Sequence, residues 1–266
     1  MAKRIITGLI LAPIVLSLAW FLPDTAGVGL IVAAAFAAAH EYMNFFSIRQ
    51  NRTLFWAGVF WIVAGPVLAR FGGLYLLGYL MASPLYAMGL FLLVPDRIPH
   101  ATSEMPVLGL GVLYIGLLMA TIVLLATGPM GNSGLLLLFA VVWLGDSAAY
   151  FGGKSLGKHK LYPRASPKKT LEGSFFGLLG SVGGAFLIDA LFGTPLSPLL
   201  LVLVGVGGGV AEQMGDLCES ILKRSAGVKD SGKLLPGHGG MLDRIDGLLF
   251  AAPVVYGVFL YGSMGA

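Results

Sequence analysis

At 266 residues the chain could hold one or two soluble domains, but 57% of it is hydrophobic and only 11% is charged, against roughly 25% charged residues in a soluble domain. Its mean hydropathy of +0.86 excludes a soluble globular protein and indicates an all-α, polytopic integral membrane protein. A single cysteine excludes an internal disulfide framework, and the formal charge of +4 describes a cationic membrane face that attracts anionic lipids and substrates, not a surface for nucleic acid.

Runs of about 20 mostly apolar residues give nine candidate spans, at 5–22, 26–46, 54–69, 74–94, 106–127, 134–151, 171–192, 198–222 and 246–262. The first follows Lys3-Arg4, but its run is long enough to span and no A-x-A site follows, so it reads as a retained anchor rather than a signal peptide. With the N-terminus in the cytoplasm, every one of the 17 basic residues except Arg70 falls on the inside, as the positive-inside rule requires. The C-terminus is then outside, and the protein is multi-pass in the cell (inner, cytoplasmic) membrane. Residues 1–130 form about five N-terminal spans. Residues 131–266 form the catalytic region, with cytoplasmic loops 152–170 and 223–245. No internal repeat is visible, and Cys218 reads as small apolar filler.

Acids inside spans are functional suspects, because a charge at the bilayer centre costs about 2.5–3.5 kcal/mol on insertion scales. Asp189, near the outer end of its span, reads as interfacial, and His40 and Glu41 as caps or partners of a neighbouring helix. Glu172 stands at the start of the seventh span. Asp146 closes "VVWLGD" with Tyr150 one turn later, and is a catalytic candidate. In "LVLVGVGGGVAEQMGDLCESILKR", Glu212, Asp216, Glu219 and Lys223 form one helical stripe. Gly205, Gly208 and Gly209 on the same side allow close packing or leave room for a ligand.

The polar loops supply the remaining candidates. After Lys223 and Arg224 the chain passes Lys229 and "PGHGG" and re-enters the membrane with Asp243 and Asp246 three apart on the first turns of a helix. His238, Gly239 and Gly240 can bring backbone N–H groups against a ligand, and the helix N-terminus favours anions. Carboxylates from two helices suit Mg2+ completed by phosphate and water, while Arg244 and the neighbouring lysines suit phosphate. In the other basic loop, Ser166 or Thr170 could cap the next helix, placing Lys168 and Lys169 at an anion site. "GGKS" is not a Walker A loop, because Ala148 stands where its first glycine is required.

"SILKRSAGVKDSGKLLPGHGGMLDRID", from Ser220 to Asp246, resembles the signature of the phosphatidate cytidylyltransferases (CDP-diacylglycerol synthases). "DSAAY" from Asp146, "SPKKTLEG" and "QMGDLCES" are also similar to that family, so specific resemblance covers roughly 143–250. The resemblance implies a bacterial-type membrane enzyme that joins CTP to phosphatidate, giving CDP-diacylglycerol and pyrophosphate. It implies a Mg2+ requirement with metal-site roles for Asp216, Asp243 and Asp246, and a homodimer; whether a second cation such as K+ joins the Mg2+ stays open.

The residues read alone fit this reaction. Both reactants are anions, so cations must offset their repulsion and stabilise the leaving group. A phosphate nucleophile is already ionised, so His238 is expected to contact phosphate or the metal shell rather than act as a base. One rival is a CTP-dependent polyprenol or phytol kinase, against which the full signature argues. The other is a transporter, but transporters place polar groups near the midplane, often with repeats, and here they cluster at one face.

Overall fold

The structure is a computed structural model that describes residues 24–232 and 239–264, with Ser17, Trp20, Phe21 and Leu234. Among the described residues, eight helical segments are long and apolar enough to cross a membrane. They coincide with the last eight sequence candidates. The first candidate, 5–22, lies almost wholly outside the described residues.

Helix α1 (Asp24–Met43) leads through a short 3-10 turn to α2 (Arg52–Ala69) and α3 (Gly73–Leu93). The next span, Pro95–Thr127, is compound: α4 (Ala101–Gly111) and α5 (Leu118–Thr127) are joined by a π-helical segment, Val112–Leu117. Helix α6 (Asn132–Leu156) is followed by strands β1 (Lys160–Tyr162) and β2 (Ser166–Thr170), then α7 (Leu171–Phe192), α8 (Pro198–Ser225) and α9 (Leu242–Met264).

Among the described residues the strands are the one departure from the all-α expectation. They form an antiparallel hairpin with Lys160 opposite Thr170 and Tyr162 opposite Ser166. Pro163-Arg164-Ala165 makes its turn, too short to read as strands by hydrophobic alternation. Of the two cap candidates, Thr170 is the cap: its Oγ1 accepts the Gly173 N–H at 3.1 Å, whereas Ser166 lies within β2. Glu172 fastens the other strand at the same open end of the hairpin, accepting the Lys158 N–H at 3.0 Å and pairing with His159 Nδ1 at 2.6 Å.

Small residues set the packing of α6 to α9. A Cβ at Gly184 would lie 2.6 Å from the Ala140 carbonyl, and one at Gly205 would lie 2.5 Å from Val182 Cα. Gly208 and Gly209 likewise abut Val141 and Ser181. The glycine stripe of α8 therefore serves close backbone approach, as small residues do between membrane helices, and leaves no room for a ligand. On its other side α9 packs against α5 and α1, which joins the N-terminal spans to the C-terminal region.

Candidate active site

The site forms where α8 and α9 touch. A Cβ at Gly215 would meet the Asp246 carbonyl at 2.5 Å, so the adjoining Asp216 and Asp246 face a common space. Their carboxylates and that of Asp146 on α6 lie within electrostatic reach of one another, and Glu212 shares a side-chain hydrogen bond with Asp146. Lys169 on the hairpin reaches into this group and binds Asp216 Oδ2 at 2.9 Å. Burial works against the Lys169 ammonium, but Asp216, joined by Glu212 and Asp146, more than offsets it and holds the amine above its ordinary range.

A cavity of 420 Å³ opens between the end of α6, the hairpin and the start of α7. Asp146, Tyr150, Lys154, Lys168, Lys169 and Thr170 line it, with Glu212 and Gln213 from α8. Gln213 was not among the sequence candidates. It is tied to Ser174 by two hydrogen bonds, one from its Nε2 to the Ser174 carbonyl at 3.1 Å and one accepted from the Ser174 hydroxyl. Its place within "EQMGD", between two carboxylates of the stripe, was the available signal.

Asp243 is held differently from Asp216 and Asp246. Its Oδ2 accepts the Ser231 N–H, the Ser231 hydroxyl and the Gly240 N–H, each at 2.8 Å, and its Oδ1 accepts Lys223 Nζ at 2.5 Å. Lys223 also pairs with the buried Glu219. Glu41, from the distant α1, completes the arrangement. It accepts the Met241 and Leu242 N–H groups at 2.9 Å each and the Ser231 hydroxyl at 3.0 Å.

These contacts correct the reading of the glycine loop. The Gly240 N–H and the first N–H groups of α9 go to Asp243 and Glu41, not outward to a ligand. Gly239 has φ +80° and its Cβ would strike Asp243 Oδ2 at 2.5 Å, while a Cβ at Gly240 would run into Glu41 and the Ser231 hydroxyl. The glycines let two carboxylates grip the loop. His238 lies outside the described residues.

Nearly the whole chain matches a known pattern. The model of the cytidylyltransferase family matches residues 2–261. The chain belongs to the cytidylyltransferase family. It is 37% identical to a phosphatidate cytidylyltransferase of Brucella suis, over 99% of this chain and 93% of that protein. It is 37% identical to one from Pseudomonas aeruginosa, over 99% and 98%, and 34% identical to one from Thermotoga maritima, over 96% and 95%.

In this cytidylyltransferase the expected site residues that the structure describes divide, Arg244 apart, into three sets. Asp146, Lys168, Lys169 and Thr170 line the cavity, and Asp216 and Asp246 stand beside it. Lys223, Gly239, Gly240 and Asp243 belong to the gripped loop. Ser166 sits in the hairpin, Arg224 bonds the Val228 carbonyl at 3.4 Å, and Lys229 is exposed on the loop, so these three do not line the cavity. Arg244 is exposed on the first turn of α9, within electrostatic reach of Asp146.

Proposed function

We propose that this membrane nucleotidyltransferase is a phosphatidate cytidylyltransferase, converting CTP and phosphatidate to CDP-diacylglycerol and pyrophosphate. The observation that carries the reading, beside relatives matched over nearly their full length, is that Asp146 and Glu212 belong both to the lysine-lined cavity and to the acidic group. That is the arrangement a triphosphate needs: cations along its oxygens and carboxylates positioned for a divalent ion.

A phosphatidate oxygen attacks the α-phosphorus of CTP, the bond from that phosphorus to the bridging oxygen breaks, and the electron pair leaves with pyrophosphate. Lys168 and Lys169 receive the triphosphate, and Lys169, anchored on Asp216, stays charged and aimed at it. The lipid phosphate is ionised near neutral pH, so no side chain has to act as a base. Glu41 and Asp243 hold the loop that fixes Asp246 opposite Asp216.

Among the described residues no group of three or more Asp, Glu, His or Cys side chains is placed to hold a metal ion unaided. Mg2+ typically needs only one or two carboxylates besides phosphate oxygens and water, and the donor set fits it. Asp216 and Asp246 would hold it; Asp243, whose oxygens are taken by Ser231, Gly240 and Lys223, would serve from the loop beside them rather than as a third ligand. Bound there, Mg2+ would neutralise triphosphate charge and stabilise the departing pyrophosphate. A second cation such as K+ would share this acidic group.

The same proposal includes nine spans, a cytoplasmic N-terminus, an external C-terminus and an active site facing the cytoplasm of the inner membrane. The lysine-bearing hairpin at the end of α6 supports that orientation. Residues 1–130 would form the N-terminal spans and 131–266 the catalytic region, and the protein would be a homodimer, as the resemblance implies.

The test is CTP labelled at the α- or the γ-phosphate, incubated with protein, phosphatidate and Mg2+ and extracted into organic solvent. Label from the α position alone is expected in the lipid. Label from the γ position would identify a lipid kinase, and none from either would return the transporter.

A further inference from the structure

We propose that the apolar groove between α1, α5, α6 and α9 holds one acyl chain of the lipid substrate, with Arg244 at its head taking the lipid phosphate. The inference rests on the phosphatidate reading and adds to it the place where the lipid binds.

The groove encloses 300 Å³, and its walls include Leu30 and Ala34 of α1, Ile122 of α5, Phe139 and Trp143 of α6 and Leu248 of α9. Phe139 and Trp143 stack with ring centroids 4.9 Å apart, giving it a continuous aromatic side. Its α6 wall runs from Leu135 to Trp143, a rise of about 12 Å, against a single-leaflet hydrocarbon depth of roughly 15 Å.

Arg244 is the one charged residue in this lining, and it is exposed. Its guanidinium makes no ion pair among the described residues. A planar, permanently charged fork at the mouth of an apolar slot is complementary to a phosphate monoester on a hydrocarbon tail.

The depth is also right. Helix α1 has 20 residues, about 30 Å, the thickness of the hydrocarbon core. Glu41, two residues from its end, bonds the first N–H groups of α9. Arg244 therefore stands at the level where a membrane-length helix ends, and the groove descends from there into the apolar zone. On its far side lies Asp146, three residues beyond Trp143, which lines the polar cavity and has Arg244 within electrostatic reach. A lipid phosphate on Arg244 would thus meet a nucleotide in the cavity at Asp146.

The experiment uses purified full-length protein in phosphatidylcholine nanodiscs with phosphatidate bearing a mid-chain diazirine, the cross-linked residues being mapped by mass spectrometry. The expected label falls on Leu30, Phe139 or Leu248, is displaced by unlabelled phosphatidate, and is not reproduced by an equal mole fraction of diazirine phosphatidylcholine. Label outside the groove, residues 1–23 included, or equal labelling by both lipids overturns the proposal. In addition, Ala34→Trp should lower the ratio of kcat/KM for dioleoyl over dibutanoyl phosphatidate at least tenfold, and an unchanged ratio overturns it. The parent reading fails separately, if the unaltered protein forms no CDP-lipid from either substrate wherever the label falls.

Discussion

Glu41 Oε2 accepts the backbone N–H of Leu242 at 2.9 Å across 201 residues of sequence. The bond places a carboxylate from α1 at the N-terminus of the helix that carries Asp243 and Asp246, where the helix leaves its first N–H groups without partners.

Glu41→Ala strands the Met241 and Leu242 N–H donors, at about 1–3 kcal/mol for each buried group left unpaired, while the Ser231 hydroxyl keeps Asp243 Oδ2 at 2.8 Å. Turnover should fall at least tenfold, with amide exchange across residues 226–242 accelerated. Glu41→Gln keeps one acceptor oxygen and should fall between the two. Normal turnover in Glu41→Ala would show that the loop positions Asp246 without α1.

The carboxylates should separate by role. Asp216→Asn and Asp246→Asn should each lose nearly all turnover, and chelation should silence the unaltered protein until Mg2+ is restored. Asp189, which accepts the Thr194 N–H at 3.0 Å at the far end of α7, is the control: Asp189→Asn should keep most of the activity. A third or more of normal activity in Asp246→Asn at saturating Mg2+ would remove it from the ligand set.

Lys223 sits between Glu219 and Asp243, with side-chain exposures of 12%, 1% and 6%. Removing the shared cation leaves two buried carboxylates unpaired, and breaking such a pair costs roughly 3–5 kcal/mol. Lys223→Met should lower the thermal midpoint, and adding Glu219→Leu should recover part of the loss. Additive losses in the double mutant would mean that the pair is not coupled.

Lys169 should matter through the nucleotide. Lys169→Ala removes a preorganised cation, a change typically worth about 10²–10³ in rate, and should raise KM for CTP as well as lower kcat. Thr170→Ala, which removes the α7 cap at about 1 kcal/mol, should produce a milder form of the same defect. A silent Lys169→Ala would place the triphosphate elsewhere.

The orientation can be checked on a Cys218→Ser background. A cysteine at position 158 should react with an impermeant thiol reagent only from the cytoplasmic side of sealed vesicles. Labelling from outside would invert the proposed topology.

The membrane class and the last eight spans were legible in the sequence, because twenty apolar residues in a row record burial in lipid whatever the neighbouring helices do. That Asp146, Asp216, Asp246 and Lys169 are candidates was legible too, since charge inside or beside such runs is costly, and the structure brings the four together. What each polar group touches was decided by tertiary packing. The glycine loop promised backbone donors for a ligand, yet the N–H groups of Gly240, Met241 and Leu242 are taken by Asp243 and by Glu41, the latter 200 residues from Met241 in sequence. The hairpin that aims Lys169 at Asp216 is two short strands without an alternating pattern, fixed at its open end by Glu172 and by the Thr170 cap. The physical reason is common to both cases. Hydrophobic periodicity encodes which face is buried, whereas hydrogen-bond partners are chosen by distances that exist only once α1, α6, α8 and α9 have come together.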